Sequence, residues 1–344
     1  MLPLRLPHTP RPWSRWLAAH ARPSETIFVT TNDNVRLAIH RVRPPLHEAS
    51  GAPVVMLLHG LAANRLAFLW PQRSLAVHLA QRGFDVYVPE LRGAGESETP
   101  SRPWDLDDYL TLDLPAILEG IRRAAGTRPV HWVGHSMGGI LMCCYAIRIR
   151  DHGIASGVAI GSALDYRVGR SGFSRLYAAR AVVSRLPAIP FGAFSHAIAP
   201  LLGRVRTPIE TFNFWPTNVE PELIRAFYAN VFEWIPTSLL LSLGTTFEET
   251  GLCSRDRSLR YLDCAARIDV PVLLLAASRD EQCPLEAVEE TGRRIGAHAR
   301  VERFGRAFGH ADEYGHCDLI VGRRAPQEVW PVIERFSRQT RTTA

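Results

Sequence analysis

The chain has 344 residues, 46% hydrophobic and 22% charged, enough apolar material for one large core or two ordinary ones. Its 40 basic and 34 acidic residues leave a formal charge of +6 at pH 7, and every basic residue is an arginine. The absence of lysine excludes a phosphate-binding loop ending in Gly-Lys-Ser/Thr, a Schiff-base lysine and a protein-kinase lysine, and so small a surplus without a concentrated basic stripe argues against a nucleic-acid partner.

The first 24 residues contain four Arg and two Trp, with no continuous apolar stretch of the kind a secretory signal needs. They are read as a basic leader on a cytoplasmic protein. The apolar run from Met137 to Ile147 stops at Arg148, short of the roughly 18 residues required to cross a bilayer. Thr26 to Thr31 and Val35 to Val42 flank the polar turn Asn32-Asp33-Asn34, which predicts a hairpin. Pro53 to Leu58 is apolar at every position, as in a central strand covered on both faces. Asp85 to Pro89, Val130 to Val133, Ser156 to Ile160 and Val270 to Ala277 share that character, and most are separated by segments of helical spacing. Alternating strand and helix predicts an α/β fold with a mostly parallel central sheet and helices on both faces.

That alternation stops over residues 163–269, which become aromatic, Arg-rich and punctuated by proline. This segment is read as a cap inserted into a core made of residues 25–162 and 270–344. Tyr166 to Ile209 holds seven Arg and no acidic residue. Arg175, Arg180 and Arg185 advance by about 500° per step on one helix, so they point around it rather than along one face. The reading is a solvated cap with Arg stems lying over apolar surface, and its charge also suits weak contact with a membrane surface. Cys143, Cys144, Cys253, Cys264, Cys283 and Cys317 form no CxxC pair and no metal-ligand spacing. Reduced thiols, no metal and no cofactor are expected.

The sharpest chemical signal is Gly134-His135-Ser136-Met137-Gly138, followed by Gly139, between the strand Val130 to Val133 and the helical run Ile140 to Ile149. A tight strand-to-helix turn forces the serine into a strained conformation and demands small neighbours. The helix N-terminus beneath it would stabilise a developing oxyanion, with the Met137 N–H as donor. A second donor should come from the loop after an earlier strand. His59-Gly60-Leu61 follows Pro53 to Leu58 there, and supplies the Leu61 N–H.

A serine nucleophile needs a base, and the base needs an orienting carboxylate. Val270 to Ala277 delivers Asp280 at its carboxyl end, where ligands of such sheets bind; Asp165, after the strand ending near Ile160, is the alternative. The strand around Arg300 to Phe304 is followed by two histidines, His310 and His316. His135 is expected to pack beside the serine and His59 to be structural.

At these residues the chain resembles the α/β-hydrolases, and within them the acid-lipase-like branch, over roughly Thr26 to Phe336. His59-Gly60-Leu61 resembles the oxyanion loop, and Glu90 to Ser97 the loop after the next strand, with Glu90 where Asp is more usual. Gly134 to Gly138 resembles the nucleophile elbow. Gly315-His316 with Asp318, Gly322, Ala325 and Pro326 resembles the histidine loop and its following helix, a helix read from about Pro326 to Phe336. The resemblance favours His316 as the base and implies a triad in the order Ser136, Asp280, His316. It implies acyl transfer from an apolar ester through an acyl-enzyme. A thioester, amide or lactone substrate, or an alcohol acceptor, would use the same residues. Polyester synthases of the superfamily carry Cys at the elbow, and dehalogenases and epoxide hydrolases carry Asp, so Ser136 argues against all three. A non-catalytic binding module on this scaffold is the rival of another class. The sequence does not give the oligomeric state.

Overall fold

The computed structural model describes residues 23–45, 51–71, 73–204 and 207–339. Apart from its last two residues, the leader read over residues 1–24 lies outside them. The hairpin forms as expected: β1 (Glu25–Thr30) and β2 (Arg36–Val42) pair antiparallel, and Asn34 turns the chain at φ 63°. Then come β3 (Val54–Leu58), β4 (Asp85–Pro89), β5 (Val130–His135) and β6 (Ile154–Ile160). Two short strands, β7 (Ala188–Ile189) and β8 (Ile235–Pro236), make a separate antiparallel ribbon, and β9 (Val272–Ala277) and β10 (Ala299–Phe304) complete the series.

Eight strands form one sheet in the order β1-β2-β4-β3-β5-β6-β9-β10, parallel throughout except where β2 meets β1 and β4. Every residue of β3, β4, β5 and β9 is buried, which is why β3 and β9 read as unbroken apolar runs and β4 and β5 as mainly apolar ones, with Asp85, His131 and His135 buried among them. The strand period divides the core into two layers. Val54, Met56 and Leu58 pack with helices Leu114–Ala125, Met137–Arg148 and Leu285–Ile295, while Val55 and Leu57 pack with helices Leu75–Gln81 and Trp330–Gln339.

Between β6 and β9 the chain leaves the sheet for more than a hundred residues and returns beside its point of departure, since Gly157 pairs with Val272 and Ile160 with Leu275. The insertion shares both core layers. Leu164, Tyr166, Leu239, Leu252 and Tyr261 belong to one layer, and Phe214, Phe227, Tyr228 and Phe232 to the other.

Strand and helix ends shift by a few residues, β6 starting at Ile154 and β9 at Val272, and three departures from the sequence reading matter more. β5 runs two residues further than Val133, so Gly134 and His135 are strand residues. The helix expected over Pro326 to Phe336 is two, Ala325–Glu328 and Trp330–Gln339, because Pro331 has no N–H with which to continue the first. The arginines of the insertion do not share one helix: Phe173–Ala178 ends, Arg180–Val183 begins after Ala179, and Arg185 lies beyond both. The phase argument for Arg175, Arg180 and Arg185 therefore does not apply, although all three are exposed. Among the described residues no helix is long and apolar enough to cross a membrane.

Candidate active site

β5 ends at His135, the helix Met137–Arg148 starts at the next residue but one, and Ser136 alone makes the turn. Its backbone has φ 53° and ψ −120°, a conformation that costs a non-glycine residue about 1–3 kcal/mol. The turn is pinned on both sides. The Ser136 N–H donates to Ile160 O at 2.8 Å, and its carbonyl accepts from Gly139 N at 3.0 Å and the Ser162 hydroxyl at 2.8 Å. The surrounding glycines are there for space. A Cβ on Gly134 would collide with the backbone of Gly138, one on Gly138 with the Leu58 carbonyl, and one on Gly139 with the Ser162 hydroxyl. Ser136 is thereby held at the start of a helix whose first N–H groups, that of Met137 included, have no acceptor within the helix.

The tip of β9 and the loop after β10 bring Asp280 and His316 together. Asp280 Oδ2 accepts from His316 Nδ1 at 2.7 Å, with both side chains essentially buried. Asp280 Oδ1 accepts from the backbone N–H groups of Gln282 and Cys283, each at 2.8 Å, so the carboxylate is fixed before it meets the imidazole. With Nδ1 as donor, Nε2 is left as an acceptor, and it is buried with no hydrogen-bond partner among the described residues. His316 and Ser136 line the same cavity.

Of the two candidate acids, Asp165 is placed elsewhere and bound to Arg167 through both oxygens, at 2.9 and 3.0 Å. His310 stacks on Phe304 with ring centroids 4.7 Å apart and contacts the Gly305 backbone, as a loop residue. His135 donates from Nε2 to the His316 carbonyl at 3.2 Å, its ring centroid 4.5 Å from that of His316. Burial, and then the neighbouring His316, push its pKa well below the ordinary histidine range, so it is neutral.

The loop His59-Gly60-Leu61 lies against the elbow. A Cβ on Gly60 would sit 3.0 Å from Ser136 Cβ. His59 donates from Nδ1 to the Gly60 carbonyl at 2.9 Å and accepts at Nε2 from the Leu91 N–H at 3.2 Å, which ties this loop to the next. Burial lowers its pKa and keeps it neutral. Glu90 braces the same region from beneath. Its buried carboxylate accepts from His40 Nε2 at 3.0 Å, Arg65 N at 3.0 Å, Arg65 Nη1 at 3.1 Å and Glu96 N at 2.7 Å. Burial opposes that charge, but His40, Arg65 and the Glu96 N–H outweigh it and hold the carboxyl at about 2.

The sequence reading missed Gly161 and, although it named Asp318 in the histidine-loop resemblance, did not say what Asp318 bonds to. Gly161, at φ +56° after β6, leaves room for the acid–imidazole pair: a Cβ there would sit 3.1 Å from both Asp280 Oδ2 and His316 Nδ1. A glycine directly after a buried strand was the available signal. Asp318, two residues after the histidine, accepts from Gly315 N at 2.8 Å and Trp215 N at 2.9 Å, anchoring the histidine loop to the insertion. Burial raises its pKa well above the carboxylate range.

Two apolar cavities meet at Ser136, and Leu61, Phe173 and Leu240 line both. The smaller, about 70 Å³, is walled by Met137, Ile140, Tyr166, Leu243, Phe247 and Leu252. The larger, about 270 Å³, is walled by Ala63, Phe191, Phe212, Phe227, Phe232 and His316. Leu61 and Met137 line the smaller cavity together with Ser136, and Leu61 lines the larger one as well.

A family model for the alpha/beta hydrolase fold matches residues 53–322, and the chain belongs to that family. It is 32% identical over 133 residues to Lipase 1 of Drosophila melanogaster, an alignment covering 36% of this chain and 29% of that protein. A longer alignment, 23% identical over 291 residues, joins it to a poly(3-hydroxyalkanoate) polymerase subunit PhaC of Haloferax mediterranei, covering 80% of this chain and 56% of that one. The chain therefore spans only about a third to a half of these relatives. Among solved structures, a thermophilic esterase from Thermogutta terrifontis superposes with a TM-score of 0.64 at 19% identity over 93% of this chain and 100% of that chain, a likeness of fold.

Proposed function

We propose that this protein hydrolyses carboxylic esters with apolar arms through a serine acyl-enzyme. Ser136 attacks the carbonyl carbon and its proton passes to His316 Nε2. Asp280 holds the imidazole in the required tautomer and stabilises it when it becomes charged. The N–H groups of Leu61 and Met137 receive the oxyanion. Nε2 then protonates the departing alkoxide, and water, deprotonated by the same nitrogen, releases the acid. The insertion acts as the cap that walls the substrate away from solvent. One observation carries the reading: an imidazole bonded to a carboxylate at Nδ1, at 2.7 Å, has its Nε2 unpaired and lines the same cavity as a serine held at positive φ. The similarity to lipases supports an ester as substrate.

The test is hydrolysis of aryl esters from acetyl to palmitoyl by the wild type and Ser136→Ala, with covalent labelling by an organophosphonate read by mass. Turnover in the wild type, a loss of 10³-fold or more in folded Ser136→Ala and labelling confined to Ser136 are expected. A variant that keeps near-wild-type turnover overturns the assignment.

A further inference from the structure

The two cavities that meet at Ser136 are not equivalent, because only one contains the group that handles the leaving oxygen. His316 and His135 line the larger cavity and not the smaller, whereas Met137, Ile140 and Ala163 line the smaller and not the larger. Attack by Ser136 forms the Oγ–carbon bond and moves the Oγ proton to His316 Nε2. Collapse breaks the bond between that carbon and the alkoxy oxygen, which takes the proton from Nε2 and leaves as the alcohol. Proton transfer requires the alkoxy oxygen within hydrogen-bond reach of Nε2. With the oxyanion fixed between the Leu61 and Met137 N–H groups, the alkoxy arm must lie on the His316 side and the acyl arm on the other.

From this we infer that the larger cavity takes the alcohol and the smaller one the acyl group, so that the preferred substrates are short-acyl esters of bulky apolar alcohols. The inference rests on the serine-hydrolase reading above and adds to it a direction of binding. The walls agree with the assignment. Phe191, Phe212, Phe227 and Phe232 line the larger space, about 270 Å³, wider than the roughly 150 Å³ that suffices for a benzene ring. The smaller space, about 70 Å³, is lined by Tyr166, Leu243, Phe247 and Leu252.

The experiment uses two isomers of one formula, hexyl acetate and ethyl hexanoate, whose apolar content is nearly the same. Wild-type kcat/KM should favour hexyl acetate by about tenfold or more, the scale on which a few misplaced methylenes discriminate. Phe247→Ala, which enlarges only the smaller cavity, should narrow that ratio at least fivefold. A wild type that hydrolyses both esters equally, or prefers ethyl hexanoate, while Ser136→Ala hydrolyses neither, overturns the direction of binding and leaves the ester-hydrolase reading standing. Absence of turnover on both esters together with no organophosphonate labelling of Ser136 overturns the reading itself, and the direction with it.

Discussion

Replacing Glu90 by Gln tests whether the loops around the serine are braced by a buried charge or only by packing. The Glu90 carboxyl is lowered from an ordinary 4.5 to about 2 by its bonds to His40, Arg65 and Glu96. At about 1.36 kcal/mol per pH unit this is worth about 3 kcal/mol of folding stability at neutral pH. The sign follows from the direction. A carboxyl held lower in the folded than in the unfolded chain stabilises fully above about pH 4.5 and loses that contribution as the pH falls toward 2. The cost of Glu90→Gln is then about 3 kcal/mol at pH 7 and about 2 kcal/mol at pH 3.5. Urea titrations of both proteins at the two pH values, followed by tryptophan fluorescence and compared at equal m, measure the difference. An unchanged midpoint at pH 7, or a cost as large at pH 3.5 as at pH 7, would refute the account.

Asp280→Asn should keep the two backbone bonds at Oδ1 but present an amide N–H to His316 Nδ1, forcing the proton onto Nε2; kcat should fall by about 10³ to 10⁴ with the melting temperature little changed. Asp318 separates into two variants. Asp318→Ala removes the acceptor that Gly315 N and Trp215 N share and should cost about 2–5 kcal/mol, whereas Asp318→Asn keeps an acceptor for both. Because burial raises the Asp318 carboxyl, wild-type stability should decline as the pH rises above the ordinary carboxylate range, so the Asn variant should gain on the wild type between pH 5 and pH 8 in urea midpoints.

The strands were legible because β3, β4, β5 and β9 are covered on both faces, and covering fills most of their positions with apolar side chains. The elbow was legible because its glycines answer steric demands within a few residues of chain. The choice between His310 and His316 was not set by local chemistry. Both follow the same strand; the resemblance of the histidine loop favoured His316, and the bond of His316 to Asp280 supplies the physical reason. Gly161 and the bonding of Asp318, a residue named only through the resemblance, stayed hidden for a related reason: the first matters because β6 lies beside β9, the second because Trp215 lies across the histidine loop, and neither neighbour is visible in sequence spacing. The two cavities were illegible altogether, since their walls are assembled from the elbow, the loop after β3, the insertion and the histidine loop.

The insertion's part in both core layers bears on how the molecule comes apart. Tyr166, Leu239 and Leu252 share one apolar interior with Leu141 and Leu274, and Phe214 and Phe227 share the other with Leu57 and Leu273. Separating the insertion from the sheet would wet both layers, so the two should unfold as one cooperative unit. Their slowest amides should exchange with solvent through the same global event, and an insertion transplanted from another family member would fit only with its inward-facing residues matched to this sheet.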